Sequence, residues 1–318
     1  MSSVHCHYLT FSLPETFDFS FSLADFTQNY LNIPLDDFVE TGKERYFYRS
    51  HWTINETHNI YHGGKGNNAG TVCVELKGSA METLHCELLD LLHFIKAQNG
   101  KLCRFDLAID DTRNVLPFPE IVKLSTGETF RRRVRTKLCR PRKRDNSLTV
   151  LPEISTQPRR VAYGSERSDN YLVIYDKEYC SGIEYPFLRC ELRLTNRDDL
   201  ADLLENLTAP GCDVARYLCG IVRGKLEFLE SGDSNKGRSK VCKWWIDFLA
   251  GASVRKLARP KKIRKDTGYE TGYSEFLIFR ELKKLKAKQD KEALARIYSR
   301  FDNDMEGRQL AFNEVINL

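Results

Sequence analysis

Alternation of apolar and polar residues is sharpest over residues 103–111. Phe105, Leu107 and Ile109 fall on one side, and Arg104, Asp106 and Asp110 on the other. Successive side chains of a strand leave opposite faces, so this pattern predicts a half-buried strand carrying two carboxylates on its polar side. Two later runs repeat it. In 171–177, Leu172 and Ile174 share one face, and Tyr171, Val173, Tyr175 and Lys177 the other. In 187–194, Leu188, Cys190, Leu192 and Leu194 point inward, and Arg189, Glu191 and Arg193 outward. Further strands are predicted at 7–11, 46–54, 59–64 and 71–76. A helix is predicted over 81–97, where Leu84, Leu88, Leu91 and Ile95 follow a 3.6-residue period and Asn99-Gly100 ends it. Shorter helices are expected at 23–31, 118–124, 200–207, 214–229 and 241–249, and a long charged one at 274–300. The pattern predicts an α+β fold. The Gly- and Ser-rich stretch 231–237 is the best linker, dividing the chain into domains 1–235 and 240–318, the second small and helical.

Composition changes this picture little. The chain has 318 residues, 41% hydrophobic and 29% charged, enough for a normal core, and its net charge is +5. No apolar run approaches the ~18 residues that span a bilayer. The opening residues lack the basic and apolar regions of a signal peptide. The ten cysteines are scattered and no CxxC occurs, which argues against a zinc ribbon and for free thiols in a cytoplasmic protein.

Charge is clustered. Arg131, Arg132, Arg133, Arg135 and Lys137 are followed by Arg140, Arg142, Lys143 and Arg144. Such density suits contacts to a phosphate backbone; the plain alternative is a solvated loop. The three polar strand faces, if aligned in one sheet, bring together Asp106, Asp110, Tyr175, Lys177, Glu191 and the arginines 104, 189 and 193. Carboxylates there suit Mg²⁺ or Mn²⁺, which take one or two of them plus substrate phosphates. Their alternative is salt bridges to Arg104 or Arg189. His5 and His7 would share a strand face and could add a metal ligand, against their place at a fraying chain end. The loop 63–68 lacks the spacing of a phosphate-cradling P-loop.

These motifs resemble those of the Rep_trans class of rolling-circle replication initiators. Arg104-Phe105-Asp106-Leu107-Ala108-Ile109-Asp110-Asp111 is similar to their carboxylate strand. Tyr163-Gly164-Ser165 with Ser168, then Ile174-Tyr175-Asp176-Lys177, resembles their tyrosine element. Arg189-Cys190-Glu191-Leu192 resembles their Arg-x-Glu strand, and Trp244-Trp245 with Phe248-Leu249 their tryptophan segment. The order matches over most of residues 1–250. Two positions depart from the pattern: Val173 where an arginine is common, and Cys180 where a glutamate is, with Glu178 and Glu184 nearby.

The resemblance implies an antiparallel sheet with helices on one face and DNA on the other. It implies nicking and rejoining of one origin strand, with Tyr175 as nucleophile and Lys177 beside it. Asp106 and Glu191, with Asp110 close by, would hold Mg²⁺ or Mn²⁺. Tyr171 and Tyr179 are candidates to stack on unpaired bases. Expected partners are single-stranded and duplex origin DNA, a host 3′→5′ helicase, and a second copy through 274–300, with no membrane. A relaxase of a mobile element with the same chemistry, a DNA-binding regulator without catalysis, and a metal-dependent nuclease are the alternatives.

Overall fold

The computed structural model describes residues 3–15, 23–138, 152–156, 159–177, 187–231 and 237–257. They belong to one compact unit, Met1–Arg259; residues 260–318 form a second unit and lie outside the described residues. So do the expected helix at 274–300, Arg140, Arg142, Lys143, Arg144, Tyr179, and the region of Glu178, Cys180 and Glu184.

In chain order the elements are β1 (Ser3–Pro14), α1 (Leu23–Phe26, continued by a π turn at Thr27–Leu31), β2 (Val39–Glu40), β3 (Tyr48–Ile54), β4 (His58–Gly64) and β5 (Thr71–Lys77). Next come α2 (Ser79–Glu82), α3 (Leu88–Ala97), β6 (Lys101–Asp111), α4 (Phe118–Leu124), α5 (Gly127–Arg133), β7 (Val134–Thr136), β8 (Glu153–Thr156) and β9 (Arg159–Tyr163). The described part closes with β10 (Asn170–Asp176), β11 (Leu188–Leu194), α6 (Arg197–Leu207), α7 (Val214–Lys225), β12 (Leu226–Phe228) and α8 (Lys243–Phe248). Ten strands form one sheet in the order β2-β3-β4-β5-β1-β6-β11-β10-β9-β8. Every neighbouring pair in it is antiparallel, as the α+β reading expects.

One face of the sheet is apolar. Leu9, Phe11 and Leu13 of β1, Phe105, Leu107 and Ile109 of β6, Leu172 and Ile174 of β10, and Leu188, Cys190, Leu192 and Leu194 of β11 are buried in one core with Leu91, Leu92 and Ile95 of α3 and Leu200, Leu203 and Leu207 of α6. The helices start where the sequence supplies caps. The Asn196 side chain accepts from the backbone N–H groups of Asp198 and Asp199 at 3.1 Å, and Asp213 from that of Arg216 at 3.0 Å. Trp245 and Phe248 of α8 are fully buried in this same core, and the Trp245 indole donates to the Leu226 carbonyl at 3.0 Å. Among the described residues no helix is long and apolar enough to cross a membrane.

Two helices differ from the sequence reading, and the strand expected over 46–54 begins only at Tyr48, after a left-handed turn at Tyr46 and Phe47. The helix expected over 81–97 is broken between α2 and α3. The His85 N–H donates to the Tyr30 carbonyl at 3.2 Å, and Glu87 is extended, so the chain leaves helical geometry there. The helix expected over 214–229 ends at Lys225, because its last residues become β12 and pair with β7.

Candidate active site

The opposite face of the sheet is polar, and register decides which side chains meet on it. Across β6, β11 and β10, Asp110 lies opposite Arg189, and Arg189 opposite Tyr175. One step along, Ala108, Glu191 and Val173 are aligned; one further, Asp106, Arg193 and Tyr171. Side chains two residues apart on a strand share a face, so Glu191 is a diagonal neighbour of Asp106, Asp110 and Tyr175 together.

The Tyr175 hydroxyl donates to Glu191 Oε2 at 3.0 Å. Burial pushes the phenol above its ordinary range and the Glu191 charge adds to this, while Arg189 opposes it. Burial, then the charge of Asp106, raises the Glu191 carboxyl as well. Lys177, half-buried at the end of β10, is lowered by burial and next by Arg189.

Both aspartates are ion-paired. Arg104 meets Asp106 through two hydrogen bonds of 2.8 and 2.5 Å, and Arg193 Nε lies 3.7 Å from Asp106. Arg189 grips Asp110 at 2.6 and 2.9 Å. Arg193 is the least committed of the three arginines: its buried Nε has no hydrogen-bond partner.

His5 and His7 join this face by a route that alternation alone does not give. The β1–β6 register slips between Cys6 and Tyr8, leaving His7 as an extra residue. Such a bulge shifts the parity of a strand. Cys6 and Leu9 therefore both enter the core, while Tyr8 stands opposite Asp106. His7 Nδ1 lies 3.4 Å from an Arg189 nitrogen. Burial lowers both imidazoles; Asp110 then counteracts this at His5, whereas Arg189 reinforces it at His7. The sequence signal was present in Tyr8-Leu9, where the polar-apolar phase jumps after two histidines.

The family resemblance implies a divalent cation, and the residues fit one in part. Asp106 and Glu191 are close enough for one carboxylate to raise the other, an arrangement a cation relieves. Hard cations are satisfied by two carboxylates with phosphate and water completing the shell. Among the described residues no group of three or more His, Cys, Asp or Glu is placed to hold a metal by itself. Both Asp110 oxygens are engaged by Arg189 and both Asp106 oxygens by Arg104, so a cation on either aspartate would have to compete with a bidentate arginine.

The basic run is divided by its local structure. Arg131 pairs with Glu128 at 2.7 Å, Arg133 donates to the Leu229 carbonyl at 2.5 Å, and Arg135 pairs with the buried Glu227 at 2.6 Å. Arg132 and Lys137 are exposed.

Over 226 residues the chain is 27% identical to a Bacillus subtilis (strain 168) protein named "Putative DNA relaxase NicK", covering 65% of this chain and 60% of that relative. It thus spans about three-fifths of the relative's length. Its fold is similar to that of a rolling circle replication initiator protein from Geobacillus stearothermophilus, with a TM-score of 0.63, 18% identity, and coverage of 81% of this chain and 99% of that one. The family model of the Rep_trans replication initiation factors matches residues 100–267, more than half of the sequence and all three strands of the site, and the chain belongs to that family.

Proposed function

We propose that the chain nicks and rejoins one DNA strand at an origin through a covalent 5′-phosphotyrosine on Tyr175. The hydrogen bond from Tyr175 to Glu191 carries this reading. A phenol with a raised pKa is a poor nucleophile until its proton has somewhere to go. Glu191 already accepts that hydrogen, so an acceptor for the proton is in place beside the phenol.

In the proposed reaction the Tyr175 oxygen forms a bond to the scissile phosphorus, and its proton passes to Glu191 Oε2. The bond from phosphorus to the 3′ oxygen breaks, and that oxygen leaves as the 3′-hydroxyl that primes synthesis, taking its proton from solvent water. The ester keeps the energy of the broken bond, so the reverse attack rejoins a strand. Lys177 and the more loosely held Arg193, 3.7 Å from Asp106 and 3.4 Å from the Glu166 carbonyl, are the cations proposed to meet the phosphate, because Arg104 and Arg189 bind Asp106 and Asp110 through short paired hydrogen bonds. A Mg²⁺ or Mn²⁺ held by Asp106 and Glu191 would neutralise charge developing on the phosphate. Arg132 and Lys137, exposed and without an ion pair among the described residues, are the members of the basic run proposed to contact the duplex.

The same chemistry serves a relaxase of a mobile element. In either role a host 3′→5′ helicase and a second copy are the proposed partners, and the cytoplasm the proposed setting. The test uses labelled single strands tiled across the DNA flanking the coding sequence, incubated with Mg²⁺ or Mn²⁺ and resolved on a denaturing gel. A protein–DNA adduct formed by the wild type and lost in Tyr175→Phe is expected. Binding without any adduct would support a non-catalytic regulator instead.

A further inference from the structure

The turn leading into β3 holds two consecutive bulky residues in the left-handed region, Tyr46 at φ 53° and Phe47 at φ 64°. Side chains other than glycine rarely keep this conformation unless the surroundings impose it. Here they do. The Lys65 N–H donates to the Phe47 carbonyl at 2.8 Å, and the Asn68 side chain to the Tyr46 carbonyl at 2.9 Å. The clamping loop is itself tight: a Cβ at Gly64 would stand 1.8 Å from the Asn68 carbonyl oxygen.

This clamp does not serve burial. Phe47 is 79% exposed and Tyr46 47% exposed. Tyr46 rests edge-on against Tyr61 with ring centroids 5.3 Å apart, and the Arg45 guanidinium lies 4.6 Å from the Tyr46 ring centre. Lys43, Arg45 and Arg49 are exposed around the turn, and Lys65 beside it is paired with Glu44. A single presented ring among cations is unlike a protein interface, which needs on the order of 800 Å² per partner. It matches the needs of a single strand, whose unpaired bases offer a π face and whose phosphates need cations.

Through Tyr46 and Tyr61 the turn is also linked to the polar sheet face. Tyr61 and Tyr8 both donate to Glu75, Arg104 stacks on the Tyr8 ring at 3.6 Å, and Arg104 binds Asp106. From β3 to β10 is six strand steps, roughly 29 Å at about 4.8 Å per step.

We propose that Phe47, next to Tyr46 in a turn that also carries exposed Lys43, Arg45 and Arg49, is a stacking platform for an unpaired base of single-stranded DNA. It holds the strand near the β2–β3 edge of the sheet, well away from Tyr175. The proposal rests on the reading of the polar sheet face as a DNA site.

The test measures fluorescence anisotropy of labelled dT30, and of a duplex of equal length, with the full chain. Phe47→Ala should weaken dT30 binding about tenfold, within the range for loss of one stacked base, and leave duplex binding unchanged. Phe47→Trp should bind dT30 within about twofold of the wild type. Phe47→Gly removes the side chain that strains the backbone, so its Tm should not fall while its dT30 affinity does. Irradiated dT30 carrying 5-iodouracil should cross-link to the tryptic peptide 46–49. Wild-type affinity in Phe47→Ala, with no cross-link there, overturns the inference and leaves the proposed function standing. Unchanged dT30 affinity in Phe47→Ala together with loss of a wild-type dimer in sedimentation makes the ring a self-contact, and also overturns it. Failure of the wild type to bind dT30 at all, together with failure to form an adduct, removes both proposals.

Discussion

Tyr175 and Glu191 sit on adjacent antiparallel strands one diagonal step off direct pairing, and the phenol hydroxyl donates to the carboxylate at 3.0 Å. This offset, set by the β10–β11 register, puts a proton acceptor beside the proposed nucleophile. Glu191→Gln keeps an oxygen for the hydrogen bond but removes the site that takes the proton. Single-turnover adduct formation should fall by roughly 10²–10⁴-fold, the usual range for loss of a positioned base, while oligonucleotide affinity changes little. An undiminished rate in this variant would mean that the proton leaves by another route.

Arg189 and Asp110 form the most enclosed ion pair of the site, with side chains 4% and 10% exposed. Removing one partner of such a pair strands a buried charge. Asp110→Ala should therefore cost about 3–5 kcal/mol in urea unfolding. The double variant Asp110→Ala with Arg189→Met should recover most of that loss, because neither charge then remains buried. Equal losses in the single and double variants would show that the pair does not act as a unit.

The arginines of the basic run should separate by assay. Arg135 is bound to Glu227, which keeps Arg223 at 3.1 Å when Arg135 is lost, so Arg135→Ala should lower stability by about 1 kcal/mol. Arg132→Ala and Lys137→Ala should leave stability unchanged. Each should reduce the slope of log K against log salt by about 0.9 if it neutralises one duplex phosphate. Salt titration of duplex binding, run beside urea melts, checks both halves. A slope change confined to Arg135→Ala would reverse the assignment.

Much of the site was legible because strand alternation is a local property. Phe105, Leu107 and Ile109 against Asp106 and Asp110 fixes a face without knowledge of any neighbour, and so does Leu188, Cys190, Leu192 and Leu194 against Arg189 and Glu191. The order of the strands was not legible. β6 acquires β1 on one side and β11 on the other, some eighty residues later, and only that pairing brings Asp110 to Arg189. The break near His85 was hidden for a similar reason. The leucine period runs through it, and the bond that diverts the chain comes from distant Tyr30. Arg135 looked like its basic neighbours because Glu227 is far along the chain and meets it only when β7 pairs with β12.

The bulge at His7 makes a pH prediction. Burial lowers His5 and His7 in the folded protein, so below their ordinary pKa near 6.5 the unfolded chain binds protons that the folded chain refuses. Stability must then fall as pH drops through 6.5 toward their lowered values, and it is fully present above that window. Glu191 works in the opposite sense. Its folded pKa is raised, so its contribution improves as pH falls toward the ordinary carboxylate value near 4.5. Between pH 7.5 and 5.5 the two histidines should dominate, because Glu191 can offset at most one of the two protons they refuse. Replacing both with glutamine should flatten the wild-type decline in urea midpoint over this interval. Replacing the exposed His93 in the same way should leave it intact. A decline of equal slope in the double variant would place its source elsewhere, and the polar face would then carry its histidines without paying a proton-linked cost.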